Sequence, residues 1–260
     1  IGYFMSFDLK EGEQVEVQVG VSFVSIANAR ENLEAEQPTR DFARVEHESH
    51  DVWAKTLGRI TVEGGTDEQR RVFYTALYHT QIHPNILQDV NGEYPCMEGD
   101  EILKTSTNRY TVFSLWDTYR NLTQLQTLLF PDKQEQMIGS MIDMYKEWGW
   151  MPKWELYGRE TWTMEGDPSI PIITDAWLKG IRGYDINTAY KAFRATATLP
   201  SNQNKMRPDI DYYYKHGYIP MGEYYSGKYK IYDNYGRDMA GNDIGYFMSF
   251  DLKEGEQVEV

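Results

Sequence analysis

The sequence is poor in cysteine, in basic residues and in long apolar runs, and each shortage excludes a class of protein. Its 260 residues include one cysteine, Cys96, so we expect neither a disulfide framework nor a cysteine-based metal site. Asp and Glu (40) outnumber Lys and Arg (26), which gives a net charge of −14. Nucleic acids and anionic membrane surfaces attract the opposite charge, and no apolar run reaches membrane-span length. We therefore predict that the protein binds neither nucleic acid nor membrane.

Tryptophan, by contrast, is concentrated in one stretch of the chain. Five of the seven Trp residues lie between positions 110 and 175, among acids and an arginine. Aromatic rings cover the C–H patches of sugars, while carboxylate and guanidinium groups bind paired hydroxyls. This composition predicts a carbohydrate site. The alternative is that the Trp residues are ordinary core and the acids ordinary helix surface.

Two periodicities divide the chain. Residues 2–9 and 14–25 alternate as strands do, with a hairpin turn at 10–13. Residues 26–65 read as a linker, with a helix from Ser49 to about Leu57. A capping box of Thr66 and Gln69 then opens a helical region. In it we predict a helix that stops before Pro84 and further helices over 114–130, 132–147 (inner stripe Met137, Ile138, Met141 and Ile142), 168–182, 185–198 and 208–216.

Several separate segments, in sequence order, resemble the family-92 glycoside hydrolases. They are Phe73–Thr80, Asp89–Tyr94, Tyr110–Thr118, Gly149–Trp154 and Asp175–Asp185, with Val21–Leu33 upstream. The resemblance implies a calcium-dependent exo-acting α-mannosidase that hydrolyses mannose-containing glycans with inversion. It also implies a periplasmic or extracellular location.

The same resemblance implies an α+β multidomain fold that contains part of an (α/α)6 toroid and strands of a β-sandwich. On this interpretation, residues 1–25 are sandwich strands and residues 26–65 are the linker. Residues 66–220 form the first helical hairpins of the toroid, and residues 221–260 are further sandwich strands. The substrate-binding residues that we predict are Trp116, Asp117, Arg120, Trp150, Trp154 and Glu160. For Asp117 and Arg120, three residues apart on a helix, the alternative is a local ion pair.

The sequence also departs from the family pattern. The family's Thr-Glu-Gly string, which carries the general acid, and its Gly-Asn-Glu-Pro string near calcium do not occur. The segment Asn242–Ser249 imitates the general-base string only superficially. We therefore predict no catalytic residue and no calcium ligand in this chain, and we expect an incomplete enzyme that is inactive alone. A non-catalytic carbohydrate-binding or structural remnant is the alternative.

Four acids near the tryptophans would be the obvious hydrolytic pair without the family pattern. They are Glu155, Glu160, Glu165 and Asp167. An inverting pair needs two carboxyl groups about 6.5–9.5 Å apart, a separation that a sequence does not contain. Because the resemblance implies an acid and a base elsewhere, we predict that these four are not the pair.

Two further patterns suggest metal binding only weakly. His79 and His83 are spaced i, i+4 on one predicted helix, but Thr80 stands where a zinc protease has Glu, and we favour core or capping histidines. Asp89–Gly92 starts like a calcium loop without its later ligands, so we predict a turn in which Gly92 supplies a positive φ.

Finally, residues 1–17 recur without a change as residues 244–260. Structural repeats diverge while keeping only a few anchor positions. We therefore interpret this identity as a recent duplication or as a rotated or mis-joined order of a longer gene. A sheet position accepts one strand, so one copy is expected to be surplus.

Overall fold

A computed structural model describes residues 4–39, 41–164 and 166–218 in full, and the backbone of residues 222–225 and 228–231. The chain divides into two compact units, Ile1–Thr111 and Val112–Val260. Two earlier predictions, on Asn242–Ser249 and on the copied segment at 244–260, lie outside the described residues. Within the described part, no helix is both long and apolar enough to cross a bilayer.

In its described residues, the first unit contains three helices and four short strands. These are α1 (Ile26–Glu36), α2 (Phe42–Leu57), α3 (Asp67–His79), β1 (Asn85–Ile86), β2 (Glu93–Pro95), β3 (Ile102–Lys104) and β4 (Tyr110–Thr111). Strand β1 pairs with β4, and β2 pairs with β3, both antiparallel. The predicted capping box is confirmed: the Thr66 side chain accepts the Gln69 N–H, and the Gln69 side chain accepts the Thr66 N–H.

The helix predicted from Ser49 begins earlier than expected. Helix α2 starts at Phe42, because the Asp41 side chain accepts the N–H of Arg44 and so caps it. Its predicted end at Leu57 is confirmed. The placement of His79 and His83 on one helix was wrong, since α3 ends at His79. His83 lies beyond it, with its Nδ1 atom 3.2 Å from Asn85 Oδ1.

The two strands predicted before residue 25 do not form in the described residues 4–25. The turn between them does form, with the Glu13 N–H donating to the Lys10 carbonyl at 3.0 Å. The side chains of Val15, Val17, Val19 and Val21 are 40–65% exposed. A two-stranded hairpin is marginal in water unless a further strand or a helix covers one face, which explains the difference.

A buried carboxylate joins α1 to the loop before β2. Asp89 is 4% exposed. Its Oδ2 atom accepts the Ser22 hydroxyl at 2.7 Å and the Asn28 amide at 2.8 Å, while Oδ1 accepts the Asn32 amide at 2.7 Å. The predicted turn is confirmed, because the Gly92 N–H donates to the Asp89 carbonyl at 2.8 Å and Gly92 has φ +86°.

The second unit is mainly helical. Its elements are β5 (Phe113–Ser114), α4 (Leu115–Thr118), α5 (Leu122–Leu129), α6 (Pro131–Trp148), β6 (Trp154–Leu156), β7 (Arg159–Glu160), α7 (Ser169–Leu178), α8 (Ile186–Thr198), α9 (Ile210–His216), β8 (Gly222–Tyr225) and β9 (Lys228–Ile231). The last two strands form an antiparallel hairpin. Their place in a β-sandwich, the toroid and the domain boundaries at 25, 65 and 220 stay predictions.

Helix α6 forms the centre of the core of this unit. It begins with Pro131 at its first position and ends at Trp148, after which Gly149 has φ +94°. The predicted inner stripe is confirmed as buried: Met137, Ile138, Met141 and Ile142 are 0–3% exposed. Helices α5 and α8 both pack against α6, and α5 also packs against α7.

The helix predicted over residues 114–130 is broken into α4 and α5 by residues 119–121. Thr118, Asn121 and Thr123 are weak helix formers, because their side chains restrict χ1 or compete for backbone hydrogen bonds. The break turns the chain directly after Asp117 and Thr118. It therefore positions the side chains that follow β5.

Low pH is expected to weaken the N-terminal cap of α8. The Asp185 side chain accepts the N–H groups of Asn187 and Thr188 and the Thr188 hydroxyl. These hydrogen bonds hold the pKa of Asp185 below its usual 3.8. The stabilisation is present above the usual pKa and is lost as pH falls through the lower folded value.

The Asp185→Asn variant checks this prediction, because Asn caps a helix without titrating. Thermal unfolding followed by circular dichroism should show a stability advantage of the wild type that shrinks as pH falls below about 4. A difference between the two proteins that stays constant from pH 6 to pH 2 would contradict the prediction.

Candidate functional site

One end of a small sheet in the second unit brings the predicted sugar-binding segments together. The strand order is β5-β6-β7, antiparallel throughout. Ser114 at the end of β5 pairs with Trp154 at the start of β6. Thr161, just after β7, donates its N–H to the Trp154 carbonyl at 3.3 Å. The segments that leave β5 and β7 and the segment that enters β6 therefore meet at the same end.

The sequence explains why the opposite end of this sheet closes so tightly. Tyr157 and Gly158, which connect β6 to β7, have φ values of +49° and +82°. Two consecutive positive φ angles belong to the hairpin turn that best matches the twist of the strands. The turn sends the chain straight back, so that Glu160 pairs with Glu155. It fixes the register in which Trp154 and Thr161 become neighbours.

The segment after β5 combines an aromatic ring, a cation and a free carboxylate. The Arg120 guanidinium lies 4.9 Å from the Trp116 ring centroid and 5.1 Å from that of Tyr119. In the described part of the chain, Asp117 and Arg120 form no ion pair with each other, so the local ion pair is not observed. Asp117 is exposed. Its carboxylate is therefore accessible to a ligand, next to the Trp116 ring on which Arg120 already lies.

The segment before β6 is a loop, as Gly149 and Pro152 predict. Trp150 is 8% exposed and Lys153 is 6% exposed. Trp154 is half-buried, and its indole Nε1 has no hydrogen-bond partner in the described part of the chain. A buried N–H without a partner is rare in proteins. The predicted sugar contacts of Trp150 and Trp154 stay predictions.

Two buried glutamates hold this sheet and its loops. Glu155 is 0% exposed, and its Oε2 and Oε1 atoms accept the N–H groups of Val112 at 3.0 Å and Gly158 at 2.6 Å. In Glu160, 7% exposed, Oε2 accepts the Lys153 N–H at 2.7 Å, and Oε1 accepts those of Trp154 at 3.0 Å and Trp162 at 3.1 Å. All four carboxylate oxygens thus have backbone donors.

Asp167 is a third buried acid in this region. Its side chain is 4% exposed, and Oδ2 accepts the Arg207 Nε–H at 2.6 Å. Burial raises the pKa of Asp167, and the charges of Arg207 and Lys153 act in the opposite direction. Its Oδ1 atom has no partner in the described part of the chain. Glu165, the remaining acid of the four considered above, lies outside the described residues.

Trp162, an exposed aromatic residue of this segment, was absent from the predicted set. The residue is 44% exposed, and its ring centroid lies 5.8 Å from that of Trp148 in an edge-on arrangement. It follows β7 by two residues, at the same sheet end as Trp116 and Trp154. The sequence signal was its place in the tryptophan-rich stretch. What the sequence did not reveal was the pairing of strands only two or three residues long.

The residues that the structure describes do not fit the calcium ion that the resemblance implies. They include no group of three or more His, Cys, Asp or Glu able to hold a metal ion. The loop that starts like a calcium site directs its Asp89 carboxylate at amide and hydroxyl donors instead. Calcium binding stays a prediction, and no step below depends on it.

Comparison with known proteins places these observations in context. A family model described as the glycosyl hydrolase family 92 catalytic domain matches residues 28–240. No functionally curated protein matches. Among solved structures, the family GH92 α-mannosidase BT3965 from Bacteroides thetaiotaomicron is 32% identical with a TM-score of 0.70, and the match covers 76% of this chain and 26% of that chain.

Two further structures give the same result. The complex of BT3965 with mannoimidazole is 32% identical with a TM-score of 0.71, covering 77% of this chain and 26% of that one. The family GH92 inverting mannosidase BT2199 from the same organism is 32% identical with a TM-score of 0.70, covering 76% and 27%. This chain thus spans about a quarter of the length of these structures.

Proposed function

The chain belongs to glycosyl hydrolase family 92, and on that basis we propose that it serves the hydrolysis of terminal α-linked mannose from glycans with inversion. The similar structures support this substrate class, since two are α-mannosidase structures, one of them with mannoimidazole bound. The third is an inverting mannosidase. Because the chain spans about a quarter of their length, the activity of the whole enzyme is part of the proposal.

The observation that carries the proposal is the exposed carboxylate of Asp117 beside the stacked Trp116 and Arg120. A carboxylate accepts two neighbouring sugar hydroxyls, and a guanidinium donates to others in a planar geometry. The Trp116 ring covers a C–H face of the same sugar. Trp154 lies at the same end of the sheet, paired with Ser114. Together these groups suit a terminal mannose better than a nucleotide or a metal.

In this proposal the chain holds the sugar but does not supply the general acid or base. Glu155 and Glu160 are buried and accept backbone N–H groups, and Asp167 is paired with Arg207. The acid that protonates a glycosidic oxygen must reach it, and the base must reach a water on the opposite face. We propose that these groups come from the family strings that are missing from this sequence, so that the chain alone is inactive.

Calcium and an extracytoplasmic location belong to the proposal through family membership alone. Because we predict no calcium ligand in this chain, calorimetric titration of the purified chain with CaCl₂ is expected to show no binding. The geometry described above requires neither one for sugar binding.

Replacing Asp117 with Ala is expected to weaken mannose binding by about 10-fold or more, because a hydrogen bond to a charged group is worth about 1.5–3 kcal/mol. Isothermal titration calorimetry or ligand-observed NMR with α-methyl mannoside measures the effect. Asp132→Ala removes an exposed carboxylate on α6 and serves as the matched control. Equal affinities of the two variants would contradict the role of Asp117. No binding by the wild type would favour a structural remnant instead.

A further inference from the structure

Trp162 has a backbone conformation that a bulky residue rarely adopts. Its φ is +59°, in the left-handed region, where residues other than Gly, Asn and Asp are uncommon. Met164, two residues later, has φ +65°. Such conformations persist only where the surrounding structure enforces them, and they concentrate at ligand sites. The strained backbone therefore indicates a functional role for this segment.

The surrounding structure fixes the Trp162 ring without burying it. The Trp162 N–H donates to the buried Glu160 carboxylate, which also holds Lys153 and Trp154. The edge-on contact with Trp148 supports the ring. Nevertheless, 44% of Trp162 and 45% of Met164 remain exposed. The result is an apolar surface that is held in place before any ligand arrives.

The sheet sets where this surface lies relative to the proposed mannose site. Trp116 and Asp117 follow β5, and Trp162 follows β7, with β6 and Trp154 between them. Neighbouring strands are about 4.8 Å apart, so β5 and β7 are separated by about 10 Å. That separation exceeds the width of one sugar ring and suits an adjacent ring of an oligosaccharide.

We propose that Trp162 stacks on the second sugar ring of a mannose-terminated oligosaccharide and so sets a preference for oligosaccharides over the single sugar. This inference rests on the proposed function, because it places the terminal mannose at Asp117. It adds a specificity-determining residue on the leaving-group side. The residue acts by binding and takes no part in bond cleavage.

The test compares α-methyl mannoside with an α-linked mannobiose by isothermal titration calorimetry on the complete 260-residue chain. The wild type should bind the disaccharide more tightly than the monosaccharide. Trp162→Ala should reduce the affinity for the disaccharide by about 3- to 10-fold, the scale of one aromatic contact, and leave that for the monosaccharide unchanged. Trp162→Phe should retain most of the preference. Tyr190→Ala, which removes an aromatic side chain 60% exposed on α8, is the control.

Trp162→Gly tests whether misfolding explains a loss of binding in the Ala variant, because Gly accepts a positive φ without strain. It should lose the disaccharide preference just as the Ala variant does while remaining folded. An unchanged ratio of the two affinities in the Ala and Gly variants, with wild-type binding intact, would overturn the role of Trp162 alone. Absence of binding of either sugar by the wild type would overturn the proposed function and this inference together.

Discussion

Replacing Glu160 with Ala should lower the free energy of unfolding by about 3–5 kcal/mol, the largest stability effect that we expect of a single side chain near the site. The substitution deprives the backbone N–H groups of Lys153, Trp154 and Trp162 of their acceptor. Each buried donor left without a partner costs about 1–3 kcal/mol. Urea denaturation followed by circular dichroism measures the change.

Asp117→Ala is the comparison for this prediction, because it removes an exposed carboxylate from the same sheet end. Surface substitutions away from special contacts change stability by about 0.5 kcal/mol or less. We therefore expect Glu160→Ala to affect folding and Asp117→Ala to affect sugar binding. A Glu160→Ala protein as stable as the wild type would show that its carboxylate does not hold these loops.

The purified chain should not hydrolyse an α-mannoside at an enzyme-like rate. General acid or base assistance typically raises the rate by about 10²–10⁴-fold for each proton transfer. The local acids Glu155, Glu160 and Asp167 instead accept hydrogen bonds from backbone N–H groups and from Arg207. An aryl α-mannoside assayed with and without calcium provides the measurement. We expect turnover indistinguishable from that of the Asp117→Ala variant.

Calcium-dependent turnover well above background would contradict this prediction and make the local acids candidates for catalysis. Asp167→Asn would then be the informative variant. Asp167 has one oxygen without a partner in the described residues, and burial raises its pKa. A general acid needs a raised pKa, and burial shifts the pKa of Asp167 in that direction. Loss of turnover with retained sugar binding would identify it.

The local features of the fold were the ones that the sequence predicted best. The capping box at Thr66 and the buried stripe of α6 depend on residues within a few positions of each other, so pattern and outcome agree. The hairpin predicted before residue 25 depends on neighbouring strands. Its turn at 10–13 forms, because four consecutive residues determine it, but its strands do not.

In the candidate site, too, local sequence features were predictable and strand pairing was not. The residue types near Trp116 and Trp154 predicted a carbohydrate site because composition carries that information. The pairing of β5, β6 and β7 was not predictable, since strands of two or three residues are too short to show alternation. For this reason the sequence did not reveal that the Glu160 carboxylate accepts backbone N–H groups of these loops. The predicted sugar contact of Glu160 stays a prediction, and Trp162 was absent from the predicted set.

The buried Asp89 carboxylate, which joins α1 to the loop before β2, affects how the first unit responds to ionic strength. This carboxylate accepts hydrogen bonds from the neutral side chains of Ser22, Asn28 and Asn32, at 2.7–2.8 Å. Dissolved ions screen forces between exposed charges over about 10 Å at 0.1 M salt, but they barely weaken a buried hydrogen bond between touching atoms. An exposed ion pair such as Arg44–Glu48 on α2 is weakened at high salt concentration. The hydrogen bonds that attach α1 to the loop before β2 should therefore persist at high salt concentration.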